Sequence, residues 1–148
     1  MITETKRSVV TPDQWEWFGT SGHFICGEWC RFHLCTKVGR FLVSTVGAYV
    51  PLHRSGGSEI SEAKWLSKNW PGERIGCDRF YETMVFEAGE RCQDPRCDCG
   101  MPTIITDDLD FLGYNSPRDA TNGHMQLRKK WAELQDWREQ ESDDASED

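Results

Sequence analysis

Three cysteines, Cys92, Cys97 and Cys99, fall within eight consecutive residues of this sequence. The same segment contains Pro95 and ends at Gly100, two residue types that favour tight turns of the backbone. Thiolate sulfur is a preferred ligand of zinc, which structural sites hold in a tetrahedron with sulfur at about 2.3 Å. We therefore predict that residues 92–100, called the cysteine loop below, bind one structural Zn²⁺ through these three thiols.

Free thiols and disulfides are the alternative interpretations of the cysteine loop. The spacing differs from the paired Cys-x-x-Cys motifs of zinc ribbons, although four residues between Cys92 and Cys97 lie within the usual ligand spacing. The N-terminus lacks the apolar segment of a signal peptide, so we expect a cytoplasmic protein. Thiols stay reduced in that compartment, which favours metal binding over disulfides.

A zinc tetrahedron needs a fourth ligand from another part of the chain. Cys30 is our first choice, and Cys26, four residues earlier, is the nearest alternative. His33 could also serve, but strand alternation places it on the face opposite Cys30. His124 is a further alternative; it lies on the apolar side of a predicted helix, where a histidine is usually a hydrogen-bonded core residue.

The residue patterns predict an α+β fold with a small antiparallel sheet, two helices and the cysteine loop. Residues 31–38 and 41–49 are rich in β-branched and aromatic residues, and Gly39 between them suits a type II′ hairpin turn. Further strands are predicted at residues 79–86 and 101–105, with a short edge strand around Trp15 and Trp17.

Helical spacing of apolar residues predicts helices over residues 59–69 and 117–138. Ser116 followed by Pro117 is a strong signal for the start of the second helix. Its apolar stripe consists of Ala120, His124, Leu127, Trp131 and Leu134, and its solvent face of Arg128, Lys129, Glu133 and Asp136.

Length and charge indicate one domain over residues 1–140, with residues 1–12 loose and a disordered acidic tail at residues 141–148. The formal charge is −8, and the six acids of the last ten residues account for most of it. The remainder is near neutral, so we do not expect binding to nucleic acid through a basic surface. No apolar run approaches the roughly 20 residues of a membrane span.

No residue is assigned a catalytic role. His23, Cys26, Glu28 and His33 are the residue types of a Cys–His site, but their order and spacing match no recognised signature. A cluster of acids could bind a hard cation, although a solvated turn is the simpler interpretation; its members are Asp107, Asp108 and Asp110.

Several phrases of the sequence are distinctive: CRFHLCTKVG at residues 30–39, LVSTVG at 42–47, YETMVF at 81–86, GYN at 113–115 and GHM at 123–125. Together they resemble a family of small, mostly phage-encoded hypothetical proteins, over roughly residues 22–135. The resemblance implies a phage accessory protein that works in the cytoplasm of a host bacterium, and it carries no activity with it.

The leading hypothesis is thus a zinc-stabilised module that binds a host or phage protein. Trp15, Trp17 and Phe18 are candidates for its binding surface, or else for the core, since aromatic residues dominate both. The alternative hypothesis is an enzyme, either a small metal-dependent hydrolase or a Cys–His transferase.

Overall fold

A computed structural model of the chain describes residues 10–18, 30–51, 59–75, 78–97 and 99–135. Within these ranges two helices accompany six strands of one sheet: β1 (Glu16–Phe18), β2 (Cys30–Val38), β3 (Phe41–Tyr49), β4 (Tyr81–Arg91), β5 (Pro102–Ile104), β6 (Asp110–Tyr114), α1 (Glu59–Lys68) and α2 (Pro117–Glu133). Neighbouring strands follow the order β1-β2-β3-β4-β5, and β6 also pairs with β4. All the pairs are antiparallel, so the predicted α+β fold is confirmed.

The β2–β3 hairpin forms as predicted, with Val38 opposite Phe41 and Cys30 opposite Tyr49. Gly39 has φ +62°, the left-handed conformation that a type II′ turn requires at its first central position. A side chain at this position would also collide with Gln135, which packs directly over the turn.

Helix α2 covers one face of the sheet and forms the main core with it. The buried members of this core are Val38, Phe41, Val43, Val85, Leu127, Trp131 and Ala132. The rings of Phe41 and Trp131 meet edge to face at 4.8 Å between centroids, a favourable aromatic geometry. Ser116 caps the helix by accepting a hydrogen bond from the Asp119 amide at 3.1 Å, as its sequence predicted.

The end of α2 differs from the prediction, because the helix stops at Glu133 rather than near residue 138. The chain turns there to place Gln135 against the β2–β3 turn. The Gln135 amide group donates to the Val38 carbonyl at 3.0 Å and accepts from the Arg40 amide at 2.8 Å. These bonds to another element compete with continued helix, which propensity alone would allow.

Two further differences concern the edges of the fold. Strand β6 was not predicted, since Asp110 and Gly113 are poor strand formers and only its pairing with β4 defines it. Val10 belongs to the segment expected to be loose, yet its amide donates to the Ala132 carbonyl at 3.1 Å and its side chain packs on the main core.

Pro12, also in the segment expected to be loose, begins a short 3₁₀ helix (Pro12–Gln14). Residues 1–9 and the acidic tail lie outside the described residues. In the part of the chain that the structure describes, neither helix combines the length and the apolarity needed to cross a bilayer.

Candidate metal centre

The cysteine loop closes a hairpin at the far end of the sheet. Strand β4 runs past the end of β3, and its last residues pair with β5 in a register that shifts between Ala88 and Arg91. The amide of Cys92 then donates to the Met101 carbonyl at 2.8 Å. The two ends of the loop are thereby held together, so the loop must fold back on itself.

A turn inside the loop brings Cys97 back toward Cys92. The Cys97 amide donates to the Asp94 carbonyl at 3.0 Å, and the Asp94 carboxylate accepts from the Arg96 amide at 2.9 Å. The sulfur atoms of Cys92, Cys97 and Cys99 consequently all lie within 4.8 Å of one another.

This spacing suits one metal ion. Sulfur ligands at about 2.3 Å from a tetrahedral zinc ion lie about 3.8 Å apart, so only small side-chain adjustments separate the observed cluster from a coordinated one. All three cysteines are half-buried, which leaves a metal ion partly shielded from water. The three thiols could therefore coordinate a metal ion.

Contacts within the cluster shift the ionisation of Cys97. The backbone of Cys99 hydrogen-bonds to Cys97 and lowers the pKa of that thiol. The hydrogen bond with the Cys99 side chain, the loss of water, and the hydrogen bond and charge of Cys92 together outweigh this effect, so the pKa of Cys97 is raised. A metal ion binds deprotonated thiols, so it would have to displace the proton of Cys97.

The loop packs against the sheet face opposite α2. Met101, Cys35 and Leu42 form a second buried cluster there, and Cys99 packs on it together with Phe18 and Ala88. The loop is thus part of a small second core, and a metal ion within it would join that core to the end of β4.

Arg91 links the loop to the edge strand β1. Its guanidinium donates to the Gly100 carbonyl at 2.7 Å and forms an ion pair with Glu16 at 2.6 Å. Both side chains of the ion pair are nearly half exposed, so the pair adds little free energy and serves mainly to orient the loop. Sequence reasoning missed it because 75 residues separate the two side chains.

The structure does not bring Cys30 to the cysteine cluster. Cys30 is buried opposite Tyr49 at the open end of the β2–β3 hairpin, whereas the cluster packs beside Cys35 and Leu42 near the other end. Our first choice of fourth ligand is therefore separated from the three thiols by several residues of extended strand. Cys26 lies outside the described residues.

The two candidate histidines are also outside the cluster. His33 pairs with Val46 in the middle of the hairpin and is only half-buried. His124 is fully buried on the side of α2 that faces the sheet, across the sheet from the cysteine loop. Among the described residues, the cluster that could hold a metal ion therefore consists of three cysteines alone.

His124 lies at the centre of a buried polar network. Its Nε2 is 2.9 Å from the Thr36 hydroxyl, and its Nδ1 is 2.6 Å from the Thr45 hydroxyl. Thr45 in turn bonds to Thr83 at 2.6 Å. Both ring nitrogens therefore bond to threonine hydroxyls, as expected for a core histidine.

Burial dominates the ionisation of His124. Loss of water around the ring, with a smaller contribution from the nearby charge of Arg128, lowers the pKa of His124 to about 3. The imidazole is therefore neutral at physiological pH and unsuited to exchange protons there. The three threonines were missed by sequence reasoning, although alternation along β2, β3 and β4 places all of them on the helix face.

The two other described cysteines, Cys30 and Cys35, are both buried. None of the five described cysteines is in a disulfide, and Cys35 is completely buried. Burial raises the pKa of Cys35 to about 12, so its thiol stays protonated and unreactive. His23 and Glu28, which belong to the Cys–His hypothesis, lie outside the described residues.

Asp110 has a structural role rather than one in a cation site. Its carboxylate accepts hydrogen bonds from Lys130 at 2.8 Å and from the Trp131 indole at 2.9 Å. Burial tends to raise the pKa of Asp110, but the bonds from Lys130 and Trp131 outweigh it and the pKa is lowered. The carboxylate thus joins β6 to α2.

Trp15, Trp17 and Arg128 form a second notable cluster, at the edge of the sheet beside α2. The guanidinium carbon of Arg128 lies 4.3 Å from the ring centroid of Trp15 and 4.4 Å from that of Trp17. Arg128 was predicted to face solvent, but it is half-buried against these rings. Arg128 lies one helical turn after His124, so its position in the sequence already indicated that it borders the buried stripe.

No protein-family model, curated protein or solved structure matches this chain.

Proposed function

We propose that this chain is a non-enzymatic protein-binding module whose cysteine loop is closed by one structural zinc ion. In keeping with the resemblance of its sequence, we further propose that it is a phage accessory protein that binds a host or phage protein in the bacterial cytoplasm. The observation that carries the proposal is the approach of three thiols to within 4.8 Å of one another in a loop packed on the sheet.

The donor set supports zinc over other common ions. Calcium and magnesium prefer oxygen ligands, whereas the three closest donors here are sulfur. Sites rich in thiolate are more often structural than hydrolytic, because hydrolytic zinc sites use mainly histidine and carboxylate ligands. The contact of Cys99 with the second buried cluster supports the same role, since a metal there would stabilise packing.

The state of the titratable core residues supports a binding role over catalysis. His124 is neutral and bonded at both ring nitrogens, and Cys35 is buried with a pKa of about 12. A Cys–His enzyme would need a thiolate and a base within hydrogen-bonding reach of each other and of a substrate. Neither of these two residues meets that requirement.

Exposed aromatic residues support binding to another protein. Trp17 is 50% exposed and Trp70 is 64% exposed, although tryptophan is usually well buried. Tryptophan is also among the residues most enriched at the energetic centres of protein interfaces.

The proposal is tested by metal analysis combined with affinity purification. The chain, prepared without chelators, should contain about one equivalent of zinc, and tagged protein should retain a specific partner from phage-infected cells. The Trp17→Ala variant should lose that partner while keeping its zinc. Metal content near zero would refute the zinc site, and hydrolytic activity that depends on added metal would favour the enzyme alternative.

A further inference from the structure

We propose that Trp15, Trp17 and Arg128 form a docking site for a carboxylate-bearing segment of a partner protein. This inference rests on the proposed protein-binding function and specifies where the partner binds and by what chemistry. We call these three residues the tryptophan–arginine site.

The scaffold of the site is rigid on both sides. Trp17 pairs with Thr36 in the sheet, and its ring lies 5.9 Å from that of His124. The Trp15 indole donates to the Val10 carbonyl at 3.3 Å, while its ring packs on the main core. Arg128 lies on α2 between these anchors, so its guanidinium is held by the rings and does not sample solvent freely.

The charge of Arg128 has no counter-charge among the described residues. Burial alone lowers its pKa, with no acidic group acting on it, and its buried Nε has no hydrogen-bond partner. Several other cations of the fold have an acidic partner, for example Arg91 with Glu16, Arg40 with Glu87, and Lys130 with Asp110. Arg128 is thus a partly desolvated cation whose Nε–H lacks an acceptor among the described residues.

A carboxylate is the group that best completes this arrangement. The two indoles contact the guanidinium through their faces, which leaves the in-plane N–H groups as its polar contacts. A carboxylate accepts two parallel hydrogen bonds from such an edge. The half-exposed ring of Trp17 would lie beside it and offer apolar area to the residue that precedes or follows the acid.

Charge favours an acidic peptide segment over a nucleic acid as the occupant. Outside the acidic last ten residues the formal charge is near neutral, so the chain lacks the excess of basic residues that binding a polyanionic phosphate backbone requires. A single carboxylate on a short segment would pair with Arg128 alone and requires no basic surface. Trp and Arg together are also the residue types that most often dominate the binding energy of protein interfaces.

The test is a selection of random dodecapeptides displayed on phage, with the zinc-loaded chain as bait. Peptides are counter-selected against the Arg128→Gln variant, and the affinity of enriched peptides is measured by fluorescence anisotropy. We expect enrichment of Asp or Glu next to an apolar residue, and affinities at least about tenfold weaker for Arg128→Gln and for Trp17→Ala. Replacement of the peptide acid by its amide should cause a similar loss.

Matched controls separate local from global effects. Arg74→Gln removes another arginine stacked on an aromatic ring and should bind the peptides like wild type. Arg128→Lys keeps the charge without the planar fork and should bind with intermediate affinity. Circular dichroism of each variant verifies the fold.

The possible outcomes are distinguishable. Peptides without excess acid, or peptides bound equally by folded Arg128→Gln, would overturn the tryptophan–arginine site and leave a protein-binding function in place. Failure of the wild-type chain to enrich any peptide would count against both. Binding of single-stranded oligonucleotide that is lost in Arg128→Gln would replace the acidic segment by a nucleic acid.

Discussion

His124 shows how one buried side chain connects stability to pH. The ring is completely buried, and its two nitrogens bond to threonines of adjacent strands. A charged imidazole in this position would lose its water and could no longer accept a hydrogen bond from either hydroxyl. The folded state therefore selects the neutral form, and protonation must oppose folding.

We predict that the chain loses stability as the pH falls below about 6.5, the pKa that His124 takes when unfolded. Because the folded pKa is lowered to about 3, the unfolded state binds the proton first, and stability declines progressively across this window. The difference between these two pKa values corresponds to a loss of about 5 kcal/mol in the free energy of unfolding over the whole window. Urea unfolding of wild type and His124→Asn at a series of pH values measures the effect.

The comparison isolates His124 from the carboxylates, which also titrate in acid. The variant should show a flatter dependence of unfolding free energy on pH between about 4 and 6.5. Parallel curves for the two proteins would show that the ring is accessible to protons in the folded state.

Gly123 shows that a helix can contain a residue with low helix propensity. Glycine weakens the interior of a helix, yet here it lies in the middle of α2. The Tyr114 ring of β6 packs directly against it, and a methyl group on Gly123 would fall about 2 Å from that ring. The helix approaches the sheet closely because this position has no side chain.

We predict that Gly123→Ala destabilises the chain by about 1–3 kcal/mol, although alanine is the better helix former. The matched variant is Asn122→Ala at the neighbouring exposed position, which should be neutral or slightly stabilising. Thermal unfolding of both variants measures the difference. If Gly123→Ala were as stable as Asn122→Ala, the contact between Tyr114 and α2 would be looser than the structure has it.

The zinc site proposed for the cysteine loop would take its fourth ligand from outside the loop. We predict that Cys97→Ser and Cys99→Ser lose the bound zinc and several kcal/mol of stability, because metal-binding free energy at a structural site stabilises the fold. Cys30→Ser should retain about one equivalent of zinc, since Cys30 lies away from the cluster. Metal analysis with melting curves tests all three.

Cys26→Ser extends this series to the alternative fourth ligand. Loss of zinc in Cys26→Ser but not in Cys30→Ser would assign Cys26, and the reverse pattern would restore Cys30. Unchanged zinc content in both Cys97→Ser and Cys99→Ser would remove the loop as a metal site.

At the scale of the molecule, the sheet separates two cores of different character. Helix α2 and one face form the larger core, which contains the threonine and histidine network. The opposite face carries the smaller cluster of Cys35, Leu42 and Met101 beneath the cysteine loop. Gln135 is the last described residue, and its side chain joins the end of α2 to the hairpin turn through hydrogen bonds.

We predict that residues 141–148 can be removed without loss of stability. Their acidic composition offers too little apolar area to offset the entropy cost of ordering the chain. A chain ending at Gln140 should melt within a few degrees of the full chain in a thermal scan. A larger decrease would show that the tail docks on the folded part.

The sequence by itself determined the elements whose signals are local. Apolar alternation and Gly39 defined the β2–β3 hairpin, and Ser116 with Pro117 defined the start of α2. The clustering of three thiols also followed from sequence, because a short loop closed by a hairpin cannot keep them far apart.

Only the tertiary structure decided the features that join distant residues. Strand β6 exists through its pairing with β4, the helix ends where Gln135 meets the hairpin, and Cys30 is kept from the cluster by its register with Tyr49. The contact of Arg128 with two indoles likewise depends on how α2 lies on the sheet. Local propensity cannot predict such contacts, because their free energy depends on partners far away in the chain.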